Sequence, residues 1–317
     1  MSQQTALAKR KGLSKLLADI WRDYDLYLML LPGLAGFLLF GYGPMYGLTM
    51  AFKDFNLVRG LAESAWVGFR WFEDFYNDPY FFRLIRNTLL LGAFNLLWGF
   101  PMPIILALLL NEIRIIWFRR LVQSVSFFPY FIAVITVVSI MWMLFRSDGI
   151  VNRILAPFTE EYVGFLTDPA WFRTMYIGSD IWQYTGYFAT IYLAALTAID
   201  PVLYEAAIMD GANRWQRIWN ITLPGILPTI TILFILSVGM IVSVGFERVF
   251  LLYSPATYET ADVLPTYVYR RGIMGYNFSY ATAVGLIDSV AATVMVLAAN
   301  TILRRVGRGS DSTATIW

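Results

Sequence analysis

Six stretches of the chain are almost continuously apolar, and the polar residues gather between them. A helix of about 20 apolar residues crosses the hydrocarbon core of a membrane. These runs are too long and too continuous for the strands of a barrel, the only other structure that spans lipid. The pattern predicts an all-α integral membrane protein with a spanning domain over 25–303. Its six helices are expected at about 25–50, 84–110, 121–145, 175–199, 224–246 and 282–303.

The composition supports this prediction and excludes several kinds of chemistry. Hydrophobic residues make up 58% of the 317 positions and charged residues 15%, whereas soluble domains average about 45–50% and 25%. The chain contains neither Cys nor His, so thiolate nucleophiles, imidazole bases and the usual zinc ligands are excluded. The net charge of +2 is small, and no nucleic-acid partner is expected.

Basic residues predict the orientation in the membrane. Placing both termini in the cytosol puts thirteen of the 24 Lys and Arg residues there, in the shorter total length of loop. The excess of basic residues on the cytosolic side favours that arrangement. Residues 1–24 carry an apolar stripe at helical spacing and are predicted to lie along the membrane or against a partner; the alternative is an extension of the first span. Residues 304–317 are predicted to form a cytosolic tail.

The loop at 200–223 contains local signals for a compact helix-turn-helix. Asp200 followed by Pro201 is a typical helix start, and Gly211 is a typical stop or tight bend. A second short helix is expected over 214–221, ending before Pro224 because the residue before a proline disfavours helix. A compact helix-turn-helix of this kind is suited to docking on another protein.

At these residues the sequence resembles the permease subunits of binding-protein-dependent ABC importers of type I. Their signature, E-A-A-x-x-x-G followed by I-x-L-P, is matched here together with the Asp-Gly-Ala of carbohydrate permeases. One departure is Ile218, where many relatives carry Phe. The matching residues are Glu205, Ala206, Ala207, Asp210, Gly211, Ala212, Ile221, Leu223 and Pro224.

The resemblance implies that this loop is the coupling helix, which sits in a cleft of the ATP-hydrolysing subunit. It implies a second, similar but nonidentical permease, two copies of an ATP-binding subunit and an extracytoplasmic solute-binding protein. The chain would lie in the bacterial cytoplasmic membrane, in contact with lipid. The chain would be no enzyme and hold no cofactor or metal. It contains no phosphate-binding G-x-x-x-x-G-K-[ST] motif, so the nucleotide site is expected on another polypeptide, the partner that binds ATP and Mg.

The resemblance also suggests a class of substrate. Segments along most of the chain are similar to sugar permeases, and a few are similar to the branch that handles polysaccharide fragments, with alginate as one candidate polymer. These narrower matches are 25–32, Tyr46-Gly47, 51–55 and 267–270.

A sugar pathway needs aromatic faces and hydrogen-bonding groups. The fourth span supplies both in its outer half. The fifth places Met240, Ser243 and Glu247 near one stripe with Arg248 beside them at its outer end, where the resemblance to sugar permeases implies substrate contacts. Interfacial anchoring explains the aromatic residues equally well, and Glu247 could instead pair with a neighbouring subunit. For Asp288, in the sixth span, a structural hydrogen bond is expected. The candidate pathway residues are Trp182, Gln183, Tyr187, Met240, Ser243, Glu247 and Arg248.

Other functions remain open from the residues alone. A permease for a different small solute would share the coupling signature. A membrane-embedded transferase acting on lipid-linked sugar would need converging carboxylates, whereas the pairs Glu73-Asp74 and Glu160-Glu161 are typical of solvated surface. An ungated channel or a scaffold would not need the coupling signature.

Overall fold

The computed structural model describes residues 21–159, 161–241 and 244–307. It describes the backbone alone for 303–307. Most of the predicted amphipathic segment 1–24, the end of the tail and Ser243 therefore lie outside the described residues. The chain divides into two units, one up to Phe69 and the other from Arg70 onward.

The first unit contains one long helical segment and a small hairpin. Helix α1 (Tyr24–Phe37) continues through a π turn (Leu38–Tyr42) and a 3₁₀ segment (Gly43–Phe52). Strand β1 (Lys53–Asp54) pairs antiparallel with β2 (Ala65–Trp66), and α2 (Gly60–Glu63) lies between them. None of the side chains of α1 is buried, so this apolar helix needs lipid or another apolar surface around it.

The second unit is a succession of helices. Its α-helices are α3 (Arg70–Tyr76), α4 (Phe81–Phe94), α5 (Pro101–Glu112), α6 (Ile116–Phe127), α7 (Val134–Phe145), α8 (Ile150–Leu155), α9 (Pro169–Leu196), α10 (Pro201–Met209), α11 (Arg214–Arg217), α12 (Leu223–Gly239), α13 (Phe246–Leu252), α14 (Tyr258–Ala261), α15 (Leu264–Val268) and α16 (Phe278–Gly307). Short π or 3₁₀ turns at Asn95–Gly99, Phe128–Phe131, Ile218–Thr222, Pro255–Thr257 and Tyr269–Met274 connect several of them.

Five of the described helical segments are long and apolar enough to cross a membrane, and there are six if one bent pair is counted as a span. The five are Tyr24–Phe52, Phe81–Glu112, Val134–Leu155, Arg214–Gly239 and Phe278–Ile302; the pair is α9 and α10, bent by 76°. The predicted all-α fold with up to six spans is confirmed.

The largest difference from the predicted spans is at 121–145, where a continuous helix was expected. Helix α6 ends at Phe127, a 3₁₀ turn carries Pro129, and Ile132 has extended backbone before α7 begins. The fifth span also differs: α12 ends at Gly239, and Phe246 starts a separate helix. Met240 and Glu247 therefore do not share one helix as expected, and Ser243 lies outside the described residues.

Helix α9 is the centre of the second unit. One cluster of buried apolar residues joins it to α4, α7 and α13, with Tyr176 and Val249 among its members. Another cluster joins its far end to α5 and α12 through Tyr192 and Ile226. At Gly186 an added Cβ would overlap the carbonyl of Ser126, so only glycine allows α6 to approach this closely.

Candidate functional site

The coupling loop begins with the helix cap that the sequence predicts. The Asp200 carboxylate accepts a hydrogen bond from the Val202 amide at 2.9 Å, and Pro201 occupies the first turn of α10. The helix ends at Met209, and Gly211, two residues later, has a φ of +79° in the left-handed region. The Ala212 amide donates to the Ala207 carbonyl at 2.8 Å across this turn. Glycine is needed here because its backbone conformation is strained for residues with a Cβ.

The second arm of the loop is fixed by a reciprocal cap. Asn213 and Gln216 each accept from the other's backbone amide, at 2.9 and 2.7 Å. The expected stop before Pro224 was wrong: the helical chain continues from α11 through a π turn into α12. Pro224 lies in the first turn of α12, a position that tolerates a missing N–H. The Tyr204 and Thr222 hydroxyls, 3.0 Å apart, join the two arms.

The loop presents large apolar side chains that the chain itself leaves uncovered. Met209 is 86% exposed and Trp215 is 71% exposed. Val202, Leu203, Ile208 and Trp219 are also exposed. Of the signature residues, Glu205, Ala206, Asp210, Gly211 and Pro224 are exposed, while Ala207, Ala212, Ile221 and Leu223 are half-buried. An apolar surface held by two caps is suited to docking against a second protein.

Two of the predicted pathway residues meet inside the second unit. Arg248 is 3% exposed and donates to the Gln183 side-chain oxygen at 2.5 Å and to the Ser179 hydroxyl at 2.8 Å. The Asp180 carboxylate lies 3.5 Å from its guanidinium. The guanidinium thus has hydrogen bonds and a counter-charge within the chain, as a buried arginine requires.

Gln183 has a second partner at the interruption of the third predicted span. Its Nε2 donates to the carbonyl of Ile132 at 2.6 Å. Non-helical backbone at membrane depth has to be hydrogen-bonded by its surroundings. Gln183 therefore satisfies a carbonyl that the break between α6 and α7 leaves free, and it links this break to Arg248.

Tyr187 lies one turn further along α9 in an aromatic stack. Its ring is parallel to that of Tyr130, with centroids 3.9 Å apart. Tyr184 contacts Tyr130 edge-on and lies under the Arg248 guanidinium, 5.5 Å from it. The stack therefore adjoins the Arg248 network.

The other predicted pathway residues are not drawn into this network. Trp182 is 49% exposed and Met240 is 70% exposed. Glu247 is also exposed and has no ion pair within 4 Å among the described residues. The structure thus separates the buried Gln183 and Arg248 from exposed side chains nearby.

Sequence reasoning missed Ser179 and Asp180. Both precede Gln183 by about one helical turn, so periodicity places all three side chains near one face of α9. A carboxylate inside an apolar span indicates a partner, and that signal was present at Asp180. Its partner Arg248 was assigned instead to a pathway.

A second polar network involves Asp78, just before α4. Its carboxylate accepts hydrogen bonds from the Tyr267 hydroxyl, from the Tyr80 amide at 2.8 Å and from the Tyr280 hydroxyl at 3.0 Å. Arg271 lies 3.9 Å away. Burial opposes ionisation, but the hydrogen bonds and the arginine outweigh it and hold the pKa of Asp78 below its ordinary value.

Asp288 does not make the structural hydrogen bond that the sequence analysis expects, among the described residues. Its Oδ1 is buried and has no hydrogen-bond partner among the described residues. The side chain lines a largely apolar cavity of about 320 Å³. The other lining residues are Phe246, Leu264, Pro265, Val268, Tyr269, Ile273 and Gly285.

Within the part of the chain that the structure describes, no three carboxylates converge in a way that could hold a metal ion. The arrangement of caps, exposed apolar side chains and buried polar links is suited to docking and movement.

These features are those of a membrane transport subunit, and comparison with known proteins agrees. Residues 99–312 match the model of the family described as "Binding-protein-dependent transport system inner membrane component". The chain belongs to this family: it is a permease subunit of an ABC importer and not an enzyme. The predicted class of protein is confirmed.

Particular relatives are similar over nearly the whole chain. The protein LplB of Bacillus subtilis (strain 168) is 45% identical over 300 residues, 94% of each chain. The polygalacturonan/rhamnogalacturonan transport system permease protein YteP of the same organism is 43% identical, with the same coverage. A chain in the crystal structure of a bacterial ABC transporter involved in the import of the acidic polysaccharide alginate is 46% identical, with a TM-score of 0.85 over 92% of this chain and 99% of that one.

Proposed function

We propose that this chain is one of two nonidentical permeases of an ATP-driven importer for fragments of acidic polysaccharides, with alginate as a candidate. Two of its relatives are named for acidic polymers, one for polygalacturonan and rhamnogalacturonan and the other for alginate. A further solved structure is a bacterial alginate transporter in complex with a pentasaccharide-bound periplasmic protein. A solute-binding protein is therefore the proposed source of substrate.

The coupling loop carries this proposal. Its apolar side chains are exposed although the two arms are firmly capped, so the uncovered surface belongs to an ordered element. We assign it to a cleft of an ATP-binding subunit that holds ATP and Mg. Two permeases, each with one such loop, require two copies of that subunit.

The orientation follows from the same assignment. The coupling loop and both termini face the cytosol, the domain 25–303 spans the bacterial cytoplasmic membrane, and the loops at 51–83, 146–174 and 247–281 lie outside. This placement agrees with the excess of basic residues counted on the cytosolic side.

The substrate path in this proposal runs past the exposed side chains beside the Arg248 network. Trp182, Met240 and Glu247 are exposed and Tyr187 is half-buried. These four are available for contact with a sugar, whereas Gln183 and Arg248 are buried and support them. Ser243 belongs to the same proposed path.

Reconstitution tests the proposed function. The chain is co-expressed with its second permease and ATP-binding subunit, purified and placed in vesicles with the solute-binding protein. Alginate tetrasaccharide or tetragalacturonate on the binding protein should stimulate ATP hydrolysis and be taken up, and a neutral arabinooligosaccharide should not. Stimulation by the neutral sugar alone would contradict the acidic substrate, and failure to copurify with any ATPase would contradict the importer.

A further inference from the structure

Two arginines share one buried carboxylate beside the start of α4. Asp262 is 0% exposed and accepts from both Nη atoms of Arg270, at 2.9 and 2.7 Å. Arg83 lies 3.5 Å from the same carboxylate. The charge of Asp262 is therefore shared by these two arginines, whereas Arg86 and Arg173 have no ion pair within 4 Å among the described residues.

Arg173 is tied to the start of α4 by a neutral group. Its Nη2 donates to the Asn87 side-chain oxygen at 3.3 Å. Asn87 is itself fixed, since its Nδ2 donates to the carbonyls of Glu259 at 2.9 Å and Asp262 at 3.1 Å. The Nε of Arg173 is buried and has no hydrogen-bond partner among the described residues. The donors of Arg173 are therefore not all used within that part of the chain.

Arg86 precedes Asn87 and brings a second positive charge to Arg173. Its side chain is exposed, and among the described residues it makes no hydrogen bond and no ion pair within 4 Å. The charge of Arg86 acts on Arg173 as a like charge. The Glu259 side chain is exposed and forms no ion pair within the described part of the chain.

Two like charges held next to each other are unfavourable unless an anion joins them. A guanidinium presents a planar set of donors that matches the two oxygens of a carboxylate. A uronate carries one such carboxylate on each sugar ring, so a chain of uronates offers this group repeatedly.

We propose that Arg86 and Arg173 form a carboxylate-binding site at the outer mouth of the permease, which takes a uronate of the incoming oligosaccharide. This assignment rests on the proposed function for the orientation and for the acidic substrate. Both arginines lie within the first two turns of their helices, at the end of the second unit that faces the solute-binding protein. A membrane phosphate shares part of this chemistry and is an outcome of the test.

The experiment uses the reconstituted importer with its solute-binding protein in vesicles of phosphatidylcholine. Stimulated ATP hydrolysis is measured against the concentration of tetragalacturonate-loaded binding protein for Arg86→Gln, Arg86→Lys and Arg173→Gln. Arg153→Gln is the matched control, because Arg153 is exposed and unpaired in the described chain. Copurification of the ATP-binding subunit reports assembly.

The glutamine variants should assemble and raise the apparent KM about threefold to tenfold, the range expected for a partly exposed charge-assisted contact. Arg86→Lys should keep part of the affinity, and higher salt should narrow the difference from wild type. Arg153→Gln should behave as wild type.

Two results would overturn the site while leaving the importer intact. One is an apparent KM in both glutamine variants no different from that of Arg153→Gln. The other is an effect confined to vesicles with added phosphatidylglycerol, which would make the site a lipid headgroup site. A wild-type complex that responds only to the neutral arabinooligosaccharide would overturn the acidic substrate of the proposed function, and this site with it.

Discussion

Arg248 donates a hydrogen bond to the side-chain oxygen of Gln183 at 2.5 Å, although 65 positions separate the two residues. This contact fastens α13 to the middle of α9. Gln183 in turn holds the carbonyl of Ile132, so three parts of the second unit share one amide. Both residues are almost fully buried, which makes the contact structural in the chain described here.

Replacing Arg248 by Met should destabilise the complex by about 3 kcal/mol, because the Asp180 carboxylate loses its counter-charge in a buried site. The unfolding midpoint of the purified complex measures this loss. The double variant Arg248→Met with Asp180→Asn should recover part of it. Arg153→Gln serves as the control, and an unchanged midpoint in Arg248→Met would show that the network contributes nothing to stability.

Gly211→Val should uncouple ATP hydrolysis from transport. At φ +79° the new side chain costs about 1–2 kcal/mol or shifts the turn. Gly60→Val is a matched control, since Gly60 also has positive φ and open space around it but lies outside the coupling loop. Stimulation of ATPase by the loaded binding protein should be lost only in Gly211→Val. Equal activity in both variants would refute the role of the loop.

Single cysteines should reveal the orientation, because the natural chain has none. Asn213→Cys lies in the coupling loop and Val58→Cys at a position 95% exposed in the first unit. An impermeant maleimide added outside intact spheroplasts should label position 58 and not 213. Labelling of 213 before lysis would reverse the proposed topology.

Asp78 should make stability depend on pH in the acid range. Its folded pKa lies below the ordinary value of about 3.9, so its contribution is fully present above the ordinary value. That contribution is lost as the pH falls through the lowered folded pKa.

Asp78→Asn should therefore be less stable than wild type at pH 7, and the two should converge as the pH falls below 4 or so. Unfolding midpoints across this range measure the difference. Asp148→Asn is the control, since its ion pair is exposed and contributes little. A difference that stays constant down to the lowest pH would contradict the assigned ionisation.

Tyr187→Ala should weaken oligosaccharide uptake by about one order of magnitude at most, since a stacking contact is worth about 0.5–1.5 kcal/mol beyond area burial. Tyr187→Phe keeps the ring and should transport nearly as well. Phe188→Ala, at the neighbouring exposed position, is the control. A loss of assembly in Tyr187→Ala with normal uptake by the remaining complex would make this ring part of the packing and not of the pathway.

The coupling loop could be predicted because its signals are local. Asp200, Pro201 and Gly211 each act within one turn of the chain, and the structure places all three as expected. The helical spans could be predicted for a similar reason, since a continuous apolar run leaves few alternatives in lipid.

The interruption of the third span could not be predicted in the same way. Its free carbonyl is satisfied by an amide 51 positions away, and no local pattern reports that contact. The end of α12 at Gly239 was not predicted either. The sequence predicts one helix for Met240 and Glu247, which the structure divides. At the break near Ile132, a contact distant in sequence therefore supplies what the local pattern does not show.

Helix α9 connects the coupling loop to the Gln183 contact through one long helix. Its 28 residues form a rod of about 42 Å at 1.5 Å per residue, with the coupling loop attached at one end through a 76° bend. Gln183 lies about 20 Å from that end at the same rise per residue. There it hydrogen-bonds to Ile132, in the interrupted span, and to Arg248. A tilt of the helix by about 5° would displace Gln183 by nearly 2 Å over that length. A displacement at the coupling loop and a displacement at the Gln183 contact are therefore one movement of the same helix, with no relay of individual side chains between them.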